Sequence, residues 1–248
     1  MTLDRVFEVK GEDKIQRQRF AVVLVSPESQ ENIGLVARAM KNTGFSELRM
    51  TNVGAIGEEA LRTAVHSVDI LRKARFFPDL KTAVADRNLV LASTARRREK
   101  FKVISLTEAV EIVLRFPVET KVALVFGPER TGLSAEHLEE ANFVYSIPQA
   151  SSQPSYNLAA AVLLTLYSFF IRSTEIINPQ EETPAPRSEQ DECIHVVLMK
   201  LRQAGFMTPE NEAHLSNKIH DLFGRMTLTD KDKRFLTAIL NKIVSNLP

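Results

Sequence analysis

Three short stretches concentrate the residues that could do chemistry. The first is Ser26 to Lys41, SPESQENIGLVARAMK. A polar loop follows an apolar run there, and Ile33, Val36, Ala37 and Met40 then recur at helical spacing. Asn32 is expected to cap that helix and Gly44 to stop it. Arg38 lies past the first turn, and alone it reads as a surface arginine on an amphipathic helix. The second stretch is Leu124 to Ser134, LVFGPERTGLS. Two glycines and a proline hold the backbone in a tight turn that a ligand could approach closely, with Glu129 and Arg130 at the tip. Ser134 can cap the next helix, with His137 three residues on. The third is Ile147 to Val162, IPQASSQPSYNLAAAV, where a polar, proline-containing loop feeds an alanine-rich apolar helix. Ser155 or Asn157 could cap it, and Ala159 to Ala161 imply close packing against a neighbour.

The commoner site chemistries are poorly represented. Gly54-Ala55-Ile56-Gly57 follows an expected strand but is not GxGxxG, and no GxxxxGK[ST] occurs. The single cysteine, Cys193, can make neither an internal disulfide nor a CxxC site. His66, His137, His195, His214 and His220 show no HxxxH or HExxH pairing, so no metal is expected. The net charge of +1 announces no polyanion partner, but Arg96 to Lys102 (RRREKFK) is a local basic patch with five cations and one anion.

These segments need a scaffold, and the pattern supplies one. Hydrophobic residues at 44 % and charged residues at 25 % suit a soluble globular chain with a buried core. The apolar stretch Leu158 to Ile171 is too short and too interrupted for a membrane span. The N-terminal residues lack a secretory pattern, and a cytoplasmic setting is expected. Strands are expected at Phe20–Val25, Glu47–Val53, Asn88–Ser93, Lys121–Phe126 and Phe143–Ile147. Helices are expected at 32–41, 107–116, 134–141 and 156–176. Such alternation implies an α/β domain with a mostly parallel sheet covered on both faces. Ligands then bind at the carboxyl ends of strands, in the loops after Val25, Ser93, Phe126 and Ile147. Domain 1 is expected over residues 1–177. Residues 178–190, NPQEETPAPRSEQ, read as an exposed linker. Residues 191–248 read as a small appendage of three amphipathic helices, the second opening on Thr208-Pro209 and the third near Thr229.

The order NIGLVARAMK, LVFGPERTGL, PSYNLA resembles the three-motif pattern of the SPOUT class of methyltransferases, in its TrmH-type RNA ribose methyltransferase branch, over roughly residues 20–175. The resemblance implies a SPOUT-type parallel sheet flanked by helices, with a C-terminal trefoil knot, and a homodimer whose sites are completed by the partner chain. It implies S-adenosyl-L-methionine as cofactor and S-adenosyl-L-homocysteine as product, with no metal. The positions matching the family's cofactor loops are Ser93, Thr94, Ala95, Gly127, Ile147, Pro154, Ser155 and Tyr156. Tyr156 is a departure, because the family usually carries leucine there. Arg38 is the position carried over as catalytic, with Asn32, Glu129, Ser155 and Asn157 as its supporting set.

A guanidinium is a poor general base, since it keeps its proton far above neutral pH. The alternative is that Arg38 clamps an RNA phosphate and orients the hydroxyl, with Glu129 fixing Arg38 through a charge-assisted pair. Arg96, Arg97, Arg98 and Lys100, which directly follow the cofactor-loop residues, are expected to grip RNA. The length and helical tail resemble members acting on tRNA in the anticodon loop, at position 32. An rRNA ribose methyltransferase, a catalytically silent RNA-binding regulator on the same fold and a dinucleotide-dependent enzyme are the competing expectations. The joint presence of the five carried-over residues argues against the silent form.

Overall fold

The computed structural model describes residues 16–96, 98–150, 155–172, 182–224 and 226–245. Short Val-, Leu- and Ala-rich runs become strands covered on both faces. The first, β1 (Phe20–Val25), is buried along its whole length. It is followed by β2 (Glu47–Thr51), β3 (Arg75–Phe77), β4 (Leu89–Ser93), β5 (Val103–Ser105), β6 (Val122–Phe126) and β7 (Phe143–Ser146). They form a seven-stranded sheet in the order β3-β2-β1-β6-β4-β7-β5. Every pairing is parallel.

Strand periodicity divides the core. Phe20, Val22 and Leu24 face one layer, together with Leu89, Leu91, Val122 and Leu124. The helices there are α1 (Gln30–Thr43), α2 (Glu58–Ala64), α3 (Val68–Arg72), α5 (Leu106–Leu114) and α7 (Leu158–Arg172). Val23, Val25, Val90, Ala92, Ala123 and Val125 face the opposite layer, which contains α4 (Leu80–Val84) and α6 (Ala135–Glu139). Phe20 anchors the first layer, lying edge-on to Phe45 at 5.5 Å and tilted against Phe169 at 4.9 Å. Gly34 lets α2 cross α1 closely: a Cβ there would sit 2.4 Å from the Ala60 carbonyl oxygen.

Two helix starts depart from expectation. Asn32 is not the cap of α1. Ser29 is: its Oγ accepts from the Asn32 N–H at 3.2 Å. This frees the Asn32 side chain for another task. The helix after Thr208-Pro209 begins only at Glu212, because Asn211 Oδ1 accepts from the Thr208 N–H and closes a separate turn first. Gly44 ends α1 at φ 78°, and Ser134 with His137 forms a capping box at α6, both as expected.

Beyond residue 181, α8 (Arg187–Gln203), α9 (Glu212–Gly224) and α10 (Asp230–Ser245) gather around Ile194, Val197, Leu198, Phe223 and Leu228. The segment leading into α8, expected as exposed linker, is partly buried. Pro184 and Ala185 are covered, and α8 opens inside that segment. Asn88 Nδ2 donates to the Pro184 carbonyl at 2.6 Å, and Arg187 N–H to the Arg87 carbonyl at 2.7 Å. Gln190 Nε2 adds a bond to the Asn88 carbonyl at 3.2 Å, so the entry to α8 is tied to the start of β4, while Ser188 and Glu189 are exposed. No helix among the described residues is long and apolar enough to cross a membrane.

Candidate active site

The carboxyl ends of β4, β6 and β7 open into one cavity. Ser93, Thr94 and Ala95 line it from the β4 loop, and Gly127, Pro128, Glu129 and Gly132 from the β6 loop. Ile147 and Gln149 come from the β7 loop, and Ser155, Tyr156, Leu158 and Ala161 from the approach and first turn of α7. Seven of the eight positions matched to cofactor loops therefore share a single cavity. The eighth, Pro154, lies outside the described residues.

The β6 turn must be glycine at its first position. A Cβ on Gly127 would lie 2.4 Å from the Leu133 amide nitrogen and 2.5 Å from the Gly132 carbonyl carbon. Gly132 adopts φ 66°, which side chains disfavour. Tyr145, fully buried, was not singled out in the sequence. Its hydroxyl pairs with Thr165 Oγ1 at 3.1 Å and also bonds the Ser93 side chain, and burial pushes its pKa up. It ties β7 and α7 to the β4 rim of the cavity. An aromatic at an inward strand position looks like ordinary core, so nothing in the pattern distinguishes it.

A chain of side-chain hydrogen bonds runs along one edge of the cavity. Asn157 Nδ2 donates to Asn32 Oδ1 at 2.9 Å, and Asn32 Nδ2 donates to Glu129 Oε1 at 2.8 Å. Glu129 also accepts from the Glu28 N–H at 2.8 Å and the Ser29 N–H at 3.1 Å. Residues from three separate stretches thus meet because an amide can donate and accept at once. Burial works to raise the Glu129 carboxyl, but the bonds from Asn32, Glu28 and Ser29 outweigh it and hold the pKa below the ordinary carboxylate value. Asn157 Oδ1 in turn accepts from the Ala159 N–H at 2.9 Å, so Asn157 caps α7 and orients Asn32 together. Ser155 is exposed at the cavity wall and does not join this chain.

Arg38 is exposed, and it makes no hydrogen bond or ion pair with any described residue. The expected Glu129–Arg38 pair does not form within the chain. Glu129 is committed to the β1–α1 loop, and Arg38 leaves α1 on a different face from Asn32, about 240° around the helix. The basic patch also divides. Arg96 and Lys100 are exposed, with Arg96 Nη2 reaching the Arg130 carbonyl at 3.4 Å. Arg98 is half-buried and donates to the Leu133 carbonyl at 2.6 Å. Arg97 lies outside the described residues.

A seven-stranded parallel α/β sheet whose carboxyl-edge loops build such a cavity is the architecture of the SPOUT methyltransferases. Residues 19–167 match the model of the SpoU rRNA Methylase family, and the chain belongs to that family. It is similar to the uncharacterized tRNA/rRNA methyltransferase LasT of Escherichia coli K12, at 31 % identity, covering 92 % of this chain and 99 % of that one. It is also similar to the tRNA (cytidine/uridine/adenosine-2′-O-)-methyltransferase TrmJ of Pseudomonas aeruginosa UCBPP-PA14, at 30 % identity over 90 % and 93 % of the two chains. Among solved structures, TrmJ from Z. mobilis ZM4 superposes with a TM-score of 0.76 at 29 % identity, covering 90 % of this chain and 98 % of that chain.

Proposed function

We propose that the protein transfers a methyl group from S-adenosylmethionine to a ribose 2′-hydroxyl of tRNA, in the anticodon loop. The observation that carries this reading is the Asn157–Asn32–Glu129 chain bordering the cavity built by the three cofactor-type loops. TrmJ relatives that align over nine-tenths of the chain support tRNA ribose as the substrate. The word rRNA in the family description, and tRNA/rRNA in the name of LasT, favour an rRNA ribose as the second reading.

The cavity suits the cofactor. Gly127 and Gly132 expose backbone without side chains, Leu158 and Ala161 provide apolar surface, and Tyr156 adds a ring fixed by its hydroxyl bond to the Pro148 carbonyl at 3.0 Å. Ser93, Thr94, Ala95, Gly127, Ile147, Ser155 and Tyr156 would hold it, largely through backbone groups, and Pro154 belongs to the same set by motif. When bound, S-adenosylmethionine supplies an electrophilic methyl on a sulfonium, so the protein needs to orient a nucleophilic oxygen and exclude competitors.

The chain's own residues divide that work. Glu129 stays ionised at neutral pH, but its oxygens are occupied by Asn32, Glu28 and Ser29. It fixes the loop that starts α1 rather than taking a proton. Asn32 and Asn157 connect that loop to the α7 side of the cavity. Arg38, without a partner among the described residues, clamps an RNA phosphate and orients the ribose hydroxyl, and the phosphate or water takes the proton. Arg96 and Lys100 supply further phosphate contacts, with Arg97 beside them in sequence.

A homodimer completes the reading. The outer face of α7 carries Leu163, Leu164, Tyr167 and Ile171, each more than a third exposed and recurring at helical spacing. A second copy seated there would bury them. The trefoil knot of the class is part of the same reading: β7 inserts between β4 and β5, strands that both precede it in the chain. The α8–α10 appendage, with its own apolar cluster, is read as a separate tail on the methyltransferase domain. Mapping of 2′-O-methylated positions in RNA from a deletion strain tests the function. Loss of one tRNA anticodon-loop site is expected, and an unchanged tRNA profile with a lost rRNA site favours the second reading.

A further inference from the structure

The loop running from Thr94 to Lys102 has two ends with different duties. Thr94 and Ala95 line the cavity, whereas the cations behind them look alike in sequence. The structure separates those cations. Arg96 and Lys100 point outward, but Arg98 is half-buried, and its Nη2 donates to the Leu133 carbonyl at 2.6 Å. Its Nε is buried as well. Leu133 is itself 1 % exposed, and its amide nitrogen is the atom that closes on Gly127. On the other side, the Phe101 N–H bonds the Arg98 carbonyl at 3.2 Å, and the Phe101 ring packs on the apolar layer around α4 and α6. The Arg98 guanidinium therefore straps the β4 loop to the β6 loop, and those loops form two walls of one cavity.

We propose that Arg98 is a positioning residue for the cofactor cavity rather than an RNA contact. It holds Thr94 and Ala95 in register with Gly127 to Leu133. A charged donor to a buried carbonyl is among the stronger hydrogen bonds in a protein, and swinging out to a phosphate would forfeit it. The inference rests on reading the cavity as the S-adenosylmethionine site.

The test combines calorimetry with S-adenosylhomocysteine and tRNA binding across a salt series, on the full chain. Arg98→Ala is expected to weaken S-adenosylhomocysteine about tenfold or more, with the salt slope of tRNA binding unchanged. Arg98→Lys restores part of the affinity, because an ammonium can still donate to the Leu133 carbonyl. Arg96→Ala and Lys100→Ala are expected to do the reverse, sparing S-adenosylhomocysteine and lowering the salt slope by about one each. Thermal melts without ligand identify any variant that fails to fold. If Arg98→Ala does, Arg98→Lys still decides, since a phosphate contact would survive it with cofactor affinity intact. Arg98→Ala with cofactor affinity within twofold of wild type and a reduced salt slope overturns the inference alone. Wild-type protein that does not bind S-adenosylhomocysteine overturns the functional reading, and the inference with it.

Discussion

Asn157 donates its side-chain amide to Asn32 across 2.9 Å, joining the start of α7 to the start of α1 over 125 positions of sequence. Both residues use their remaining amide atoms, Asn32 toward Glu129 and Asn157 toward the α7 backbone. Losing either side chain should unseat the same edge of the site. Asn32→Ala and Asn157→Ala are expected to reduce kcat/KM with coupled effects, the double variant costing about 1 kcal/mol less than the sum of the singles. Strict additivity in a double-mutant cycle would show that the pair does not act as a unit. Asn32→Asp should be worse than alanine. It removes the donor to Glu129 and places a second carboxylate beside it.

Arg38 stands apart from that chain, so its replacement should leave the fold alone. Arg38→Ala is expected to keep the wild-type melting temperature, as surface changes usually fall within about 0.5 kcal/mol, while abolishing most methyl transfer. Arg38→Lys keeps the charge but loses the planar fork, and activity should stay well below wild type. Near-normal turnover by the lysine variant would remove bidentate clamping from the mechanism.

The tight β6 turn makes Gly127→Ala a sharp probe of the cavity wall. The added methyl would overlap the Leu133 amide, so that loop must shift. A destabilisation of about 1–3 kcal/mol is expected from such overpacking, with weakened S-adenosylhomocysteine binding measured by calorimetry. Gly132→Ala meets no neighbouring atom, but φ 66° strains it, so a smaller loss is expected. Equal, wild-type-like behaviour of both variants would mean that the turn is not rigid.

Glu129 gives the protein a defined pH response. Its folded pKa is depressed below the usual 4.5, so its contribution is fully present above that value and is lost as pH falls through the folded pKa. The melting-temperature gap between wild type and Glu129→Gln should therefore be constant near neutrality and shrink as acid is added below about pH 4. A gap that widens in acid would contradict the sign.

Much of the framework was legible in the sequence. FAVVLV and KVALVF read as buried strands from their short apolar runs, and Gly44 and Ser134 mark helix boundaries by chemistry that needs no partner. The strand order was not legible, because parallel crossovers are decided by distant packing. The edge strands Arg75–Phe77 and Val103–Ser105 are too short to show a period. At the site, the loops after β4, β6 and β7 line one cavity. The partners within it were harder to foresee. Asn32 looked like a cap until Ser29 took that role, and Glu129 looked like a partner for Arg38 until two backbone amides and Asn32 claimed it. Arg98 was one of several similar cations because composition cannot show which of them turns inward.

The most direct test is transfer itself. Purified protein, unmodified tRNA and S-adenosylmethionine carrying a labelled methyl group should be incubated together, and the tRNA digested to nucleosides for mass spectrometry. Label is expected on a ribose, as a 2′-O-methyl nucleoside from the anticodon loop, and Arg38→Ala should abolish it. Label on a base, or none on tRNA while wild-type protein binds S-adenosylhomocysteine, would contradict tRNA ribose methylation as the function.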